Sequence, residues 1–216
     1  MSDLIQEKLL QHQTALKQCR RCANMHGPVI ISDPSVKPIL LIGQAPGPHE
    51  AKVGKPFGWT AGKTLFQWFE QIGLDEAAFR QQVYMAAVCR CFPGKQLNKA
   101  GKRGGDRVPD ADEIANCRPW LDTEIQLLQP QLLLPVGKLA ISQFMAVNKL
   151  VDVVGQSHTL TLQGQSMAAI PLPHPSGLST WHRMEPGKTL LQQALATIAA
   201  HPAWQNAVNS ATNHSV

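Results

Sequence analysis

The 216-residue sequence predicts an α/β fold: a three-layer α/β/α sandwich around a central parallel sheet of four strands. Three observations predict it. Short apolar runs without alternation recur along the chain, as in strands buried on both faces. Amphipathic helical patterns lie between them, the order that parallel strands with crossover helices impose. Each run ends in Gly, Pro or Cys, where strands of such sheets give way to ligand-binding loops.

The elements follow in order. MSDLIQEKLLQHQTALKQ reads as an amphipathic N-terminal helix. PILLIG (38–43) is the first strand, and it empties into a loop rich in Gly and Pro, GQAPGPHEAKVGKPFGWTAGKT. In AGKTLFQWFEQIGL, Leu65, Trp68, Phe69 and Ile72 fall on one helical stripe. VYMAAV (83–88) is the second strand. PDADEIANCRPWLDTEIQLLQ opens with Asp residues suited to a helix N-terminus and continues through Ile114, Leu121, Ile125 and Leu128. LLLPVG (132–137) is the third strand, and VDVVGQSHTLTLQGQSMAAI alternates as a hairpin does before feeding the fourth, MAAIPLP (167–173). The length suits one full core, expected over residues 1–200, and residues 201–216 are small and polar and are expected to form a tail.

Composition excludes several classes. No run of about 18 apolar residues occurs, and the N-terminus mixes acid, Gln and Lys where a signal peptide needs an apolar stretch. A soluble, cytoplasmic, monomeric protein is expected, with no membrane partner. The net charge of +5 is modest, but five basic residues against one acid fall within KQLNKAGKRGGDR (95–107). A basic, Gly-rich loop suits a polyanion. AGKT resembles the end of a phosphate-binding P-loop, yet Phe57 stands where that motif needs its first Gly, and GKT lies roughly twenty residues beyond the strand. A nucleoside-triphosphate site is thereby set aside.

The cysteines carry more. Cys19 and Cys22 form a C-x-x-C after the N-terminal helix, Cys89 and Cys91 end the second strand, and Cys117 lies in the helix that follows. Five cysteines in a cytoplasmic protein point to a metal or redox role. A redox C-x-x-C belongs at a strand-to-helix turn of the sheet, and this one precedes the first strand. A zinc ribbon repeats the knuckle, whereas the second pair here is widely split. One close pair with two distant members suits an iron–sulfur cluster at least as well.

Taken together, these pieces resemble the uracil-DNA glycosylase superfamily, most closely its iron–sulfur branches, families 4 and 5. Those proteins carry G-E-A-P-G-x-x-E and G-x-P-F-x-G-x-A-G after the first strand, and this chain has GQAPGPHE and GKPFGWTAG. VYMAAVCRCFPGK, VPDADEIANCRPWL and LPHPSGLSTWHR match, in order, a strand ending in a cluster cysteine, an acid-led helix with a cysteine, and a late H-P-S strand end with Arg downstream. The resemblance implies a 4Fe-4S cluster on Cys19, Cys22, Cys91 and Cys117, with Cys91 preferred to Cys89 because it stands before the Pro loop. It implies a base pocket in which Phe57 stacks on an extruded uracil, Gly43, Gln44 and Ala45 contact the ring, and His174 donates to a uracil carbonyl oxygen. Lys102, Arg103, Arg107, Ser176 and Arg183 are the expected DNA-backbone contacts.

Three departures accompany the resemblance. The iron–sulfur branch's catalytic Glu is here Gln44, which cannot deprotonate water. Ala87 stands where one branch has the Asn that reads uracil's edge, so discrimination between bases should be weaker. The basic insertion has a counterpart in one branch, whose K-R-R-I-H motif carries a His that becomes covalently attached to the DNA sugar; GKRGGDRVP aligns with it, placing Asp106 at the His position. A carboxylate there could face the sugar cation. The expected catalytic set is therefore His174, Gln44 and Asp106, with a structural role for Glu50. The expected function is a DNA repair glycosylase that hydrolyses the N-glycosidic bond of uracil or another deaminated base in DNA. The alternative is a catalytically lapsed relative that binds damaged or single-stranded DNA.

Overall fold

Adjacent residues of the central strands bury on opposite sides of one sheet, and this divides the core in two. Ile39, Leu41, Val83, Met85, Leu132 and Leu134 belong to one apolar cluster, and Leu40, Ile42, Tyr84, Ala86 and Leu133 to the other. Such double burial explains the unbroken apolar runs. The computed structural model describes residues 2–97 and 103–213.

In chain order the helices and strands are α1 (Ser2–Lys17), β1 (Ile39–Gly43), α2 (Glu50–Val53), α3 (Thr60–Glu70), α4 (Glu76–Gln82), β2 (Val83–Ala87), β3 (Lys95–Leu97), β4 (Arg103–Asp106), α5 (Ala111–Leu128), β5 (Leu132–Pro135), α6 (Lys138–Ser142), β6 (His158–Leu162), β7 (Gln165–Ala169), α7 (Gly187–Ala200) and α8 (Pro202–Asn213). Leu65, Phe66, Trp68 and Phe69 of α3, Phe79 of α4 and Leu191, Leu195 and Ile198 of α7 fill the first cluster. Leu9 of α1 and Cys117, Leu121, Ile125 and Leu128 of α5 fill the second. Helices thus cover both faces. The start of α5 is the capping box that its Asp residues announce: the Asp110 carboxylate accepts from the Glu113 N–H and Glu113 accepts from the Asp110 N–H, each at 2.9 Å.

The central sheet has five strands in the order β2-β1-β5-β7-β6, not four. Strands β2, β1, β5 and β7 are parallel, and β6 pairs antiparallel with β7 through the hairpin turn at Gln163 and Gly164, both at positive φ. Strand β6 sits at the edge with one face open, so its alternating sequence announces a hairpin without the apolar run that marks the buried strands. The basic segment is also more ordered than a loop: β3 and β4 form a separate antiparallel ladder, with an irregularity between Lys95 and Leu97. Lys102 falls outside the described residues.

The expected polar tail needs correction, because its residues from Pro202 to Asn213 form a helix, α8. Trp204 is 1% exposed and packs on Phe69 and Phe79, and its indole N–H donates to the Ile72 carbonyl at 2.9 Å. Ala203 and Ala207 are buried beside it. Averaged polarity hides this short stripe, which is all that a terminal helix needs in order to dock. Trp204→Ala is expected to cost about 3–5 kcal/mol, read as a lower urea midpoint followed by circular dichroism; an unchanged midpoint would mean that α8 is not part of the cooperative core.

Candidate active site and thiol cavity

Strand β1 runs out at Gly43, and there the loop folds back on itself. A Cβ on Gly43 would stand 2.8 Å from Cζ of Phe57, so the Phe57 ring lies directly against the strand end. Phe57 has φ of 53°, a conformation uncommon for an aromatic residue. Two contacts hold it there. The Glu50 carboxylate accepts the Phe57 N–H through one oxygen and the Gly47 N–H, at 2.5 Å, through the other. From the far side α3 presses on the Phe57 carbonyl so closely that a Cβ on Gly62 would come within 1.7 Å of its oxygen. Burial pushes the Glu50 carboxyl up and the backbone N–H groups of Gly47, Phe57 and Gly58 pull it back. Glu50 therefore shapes the loop.

The loop forms one wall of a cavity of about 630 Å³ at the carboxyl ends of the strands. Gly43, Gln44, Ala45, Phe57, Ala87, Asp106, His174 and Ser176, which come from four separate stretches of chain, all line it. His174 is set against Gly137, whose Cβ would lie 3.0 Å from the imidazole. The Ser176 N–H donates to His174 Nδ1 at 3.2 Å, which leaves the ring proton on Nε2 in the neutral form. Burial holds the His174 pKa below its ordinary value, His182 lowers it further, and Asp106 opposes them. His174 is thus a neutral donor near neutral pH. Asp106, at the end of β4, pairs with Lys95 Nζ at 2.6 Å, and its other oxygen and a Glu50 oxygen both approach Gly47.

The expected backbone contacts divide. Ser176 is in the cavity, while Arg183 is exposed on a 3-10 turn over Trp181–Arg183, with its Nε 3.3 Å from His182 Nε2. Arg103 is in β4. Arg107 departs from expectation: its guanidinium donates to both Glu113 oxygens, at 2.8 and 2.6 Å, and to the Pro93 carbonyl at 2.8 Å. It ties the β-ladder to the start of α5, so its donors are spent inside the fold. Glu113 is accordingly held below the usual carboxylate range.

Two features of the cavity rim escape sequence reasoning. Leu178, 83% exposed, projects beside Gly105. Trp59, 49% exposed, stacks on His49 with ring centres 4.3 Å apart. A lone apolar residue in a loop has no periodicity to betray it. Trp59 carried a usable signal, because it occupies the second Gly of G-x-P-F-x-G-x-A-G.

A second cavity, of about 260 Å³, gathers Cys19, Cys22, Cys91 and Cys117 with Arg20, Arg21 and Arg90. The C-x-x-C segment reaches the end of β2 through paired backbone bonds between His26 and Phe92, at 2.8 and 2.9 Å, and one from Ile30 to Arg90. Arg90, fully buried, is clamped by both oxygens of Glu124, which also accepts from the Tyr84 hydroxyl. Cys89 does not line this cavity; it is fully buried, and its thiol donates to Cys117, holding Cys117 down and pushing Cys89 up. Burial, and then the neighbouring thiols, push Cys91 up to about 11 and raise Cys22. Thiols that oppose one another's ionisation in this way suit a bound cationic centre. Among the described residues no three His, Cys, Asp or Glu side chains close on a single-ion position.

Comparison with known proteins agrees with this geometry. The type-4 uracil-DNA glycosylase of Sulfurisphaera tokodaii is 29% identical over 144 residues, 64% of this chain and 59% of the relative. That of Archaeoglobus fulgidus is 25% identical over 173 residues, 76% of this chain and 79% of the relative. The type-5 uracil-DNA glycosylase of Pyrobaculum aerophilum is 26% identical over 113 residues, 47% and 45% of the two chains. The chain spans about three fifths of the length of the Sulfurisphaera and Saccharolobus solfataricus type-4 relatives. A family model described as the uracil DNA glycosylase superfamily matches residues 31–199, which include every strand and the whole lining of the larger cavity but one residue, Ile30. On that match, the chain belongs to the uracil-DNA glycosylase superfamily.

Proposed function

We propose that the protein is a DNA repair glycosylase that hydrolyses the N-glycosidic bond of uracil or another deaminated base extruded from DNA. The observation that carries this reading is the convergence of a fixed aromatic face, a neutral imidazole donor and a carboxylate, Phe57, His174 and Asp106, in one cavity at the strand ends. The relatives named as uracil-DNA glycosylases add to it; a lapsed, binding-only protein draws no support from them.

Chemistry at the glycosidic carbon requires the base to leave the helix. Phe57 stacks on the extruded base, with the backbone at Gly43, Gln44 and Ala45 along the ring edge. The exposed Leu178 fills the space that the base vacates, as apolar wedges do. As the C1′–N bond breaks, its electron pair moves onto the base and negative charge grows on a carbonyl oxygen. His174 Nε2–H, neutral before and during this step, donates to that oxygen and gains strength with the charge. The sugar becomes an oxocarbenium-like cation, which the Asp106 carboxylate stabilises while accepting a proton from the attacking water. Gln44 holds that water through its amide without deprotonating it. Ala87 offers no hydrogen bond to the base edge, so recognition tolerates more than one deaminated base. Lys102, Arg103, Ser176 and Arg183 follow the phosphates.

The four thiols of the smaller cavity, Cys19, Cys22, Cys91 and Cys117, hold a 4Fe-4S cluster in this reading. Bound there, it would tie the N-terminal segment, the end of β2 and α5 together through these thiols. Anaerobically purified protein should be brown and carry roughly four irons per chain. Cys91→Ser should lose the iron and Cys89→Ser keep it; stoichiometric zinc without iron would overturn the assignment.

Excision is tested on oligonucleotides that contain uracil, hypoxanthine or xanthine, with alkali to cleave abasic products. His174→Ala should lower the rate by about 10²–10³ with the iron content unchanged. Asp106→Asn should lower it as well, and Gln44→Glu, which restores a carboxylate at the loop, should raise it on uracil. Protein inert on all three bases both as wild type and as Gln44→Glu would end the glycosylase reading.

The lowered pKa of His174 fixes a pH dependence. Nδ1 accepts the Ser176 N–H only while the ring is neutral, and protonation arrives below the ordinary 6.5. Excision should therefore be flat through neutrality and fall on the acid side of 6.5. His174→Gln, slower throughout, should lack that fall.

A further inference from the structure

We infer that the stacked His49–Trp59 pair is a platform for a second nucleobase, the neighbour of the extruded one on the same strand, and that the protein therefore favours single-stranded DNA. The inference rests on the glycosylase reading and extends it to the form of the substrate. The two rings are nearly parallel, with 16° between their planes, and both line the larger cavity. His49 covers one side of the stack, and Trp59 remains 49% exposed.

The fold gives Trp59 no other employment. It belongs to neither apolar cluster. It occupies the N-cap of α3, where its side chain makes no capping hydrogen bond and where Ser, Thr, Asp or Asn would add stability. The motif pattern has Gly at this place, so the backbone does not require an aromatic residue either.

Size points the same way. Uracil, with eight non-hydrogen atoms, is small beside the drug-sized ligands that occupy pockets of roughly 300–1,000 Å³. The cavity, at about 630 Å³, leaves room for a second ring next to the first. Aromatic stacking is how proteins hold consecutive unpaired bases without reading their sequence, and the exposed Lys52 and Lys55 on the same loop supply charge for the intervening phosphates. In a duplex the neighbouring base would first have to leave its own stack. In a single strand it is already free to do so.

The test pairs changes in protein and in DNA. Binding is measured by fluorescence anisotropy on a single strand that carries one 2′-fluoroarabino-uracil nucleotide, whose electron-poor sugar resists cleavage, and on strands with one abasic residue placed at each position on either side of it. Trp59→Ala should weaken binding to the intact strand by about 5- to 100-fold, and Trp59→Phe should recover part of the loss. At one adjacent position, removing the DNA base should cost the wild-type protein a similar factor and cost Trp59→Ala nothing further. The preference of the wild type for single strand over duplex should shrink by the same factor in Trp59→Ala. Equal binding by Trp59→Ala, or losses that simply multiply at every position, would overturn the proposal. Excision of ordinary uracil by the wild type, measured alongside, separates the two failures: if excision proceeds and the scan is flat, only the platform falls; if the wild type neither excises nor binds, the glycosylase reading falls and takes the platform with it.

Discussion

Everything in the larger cavity depends on how Glu50 holds Phe57. A non-glycine residue in the left-handed region costs of order 1–3 kcal/mol unless its surroundings impose it. Here they do, because the carboxylate of Glu50 fixes the Phe57 amide and Gly62 admits its carbonyl. The ring is then driven against Gly43, which defines one face of the cavity before any ligand arrives. A preset face is what electrostatic catalysis requires, since donors and carboxylate can be aimed only at a substrate whose plane is already determined. The glycines at 43 and 62 and the acid at 50 thus form one device that sets the position of the Phe57 ring.

Much of this was legible in the residues. Four buried strands, the acid-led helix and the order of the motifs could be read because each rests on a local pattern: apolar runs, a capping pair, a glycine at a strand end. Strand β6 escaped the strand count because an edge strand with one open face alternates. Helix α8 escaped because Trp204 makes its contacts with Phe69, Phe79 and Ile72, far away in sequence. Arg107 misled for a related reason: charge is visible in a sequence and its partner is not, and Glu113 had already claimed this guanidinium. His174 could be placed by its motif, but the donor that sets its tautomer, a backbone N–H two residues on, belongs to the folded loop alone.

The carboxylate has a similar lesson. In the motif pattern a Glu stands on the loop after the first strand where this chain has Gln44, while a separate β-ladder brings Asp106 to the lining of the same cavity. Asp106 comes near Glu50 of that loop: an oxygen of each would lie 3.5 Å from a Cβ on Gly47. The ladder that carries Asp106 is anchored to α5 by the hydrogen bonds of Arg107 to Glu113 and the Pro93 carbonyl.

The chain between Ala87 and Cys91 has divided loyalties. Ala87 faces the larger cavity and Cys91 the thiol cavity, while between them the Cys89 N–H donates to the carbonyl of Gln44 at 3.0 Å and the Val88 N–H to that of Gly43 at 2.9 Å. Five residues thus serve as a party wall between two rooms, with backbone hydrogen bonds as its mortar. A wall shared in this way makes the two rooms answerable to each other: a change of register that eased the fit on the thiol side would shift Gly43 and Gln44 on the other. Insertions and deletions here are barred from both directions, which leaves the neighbouring β-ladder, a separate two-stranded sheet outside the main one, as the place where this fold can lengthen and vary.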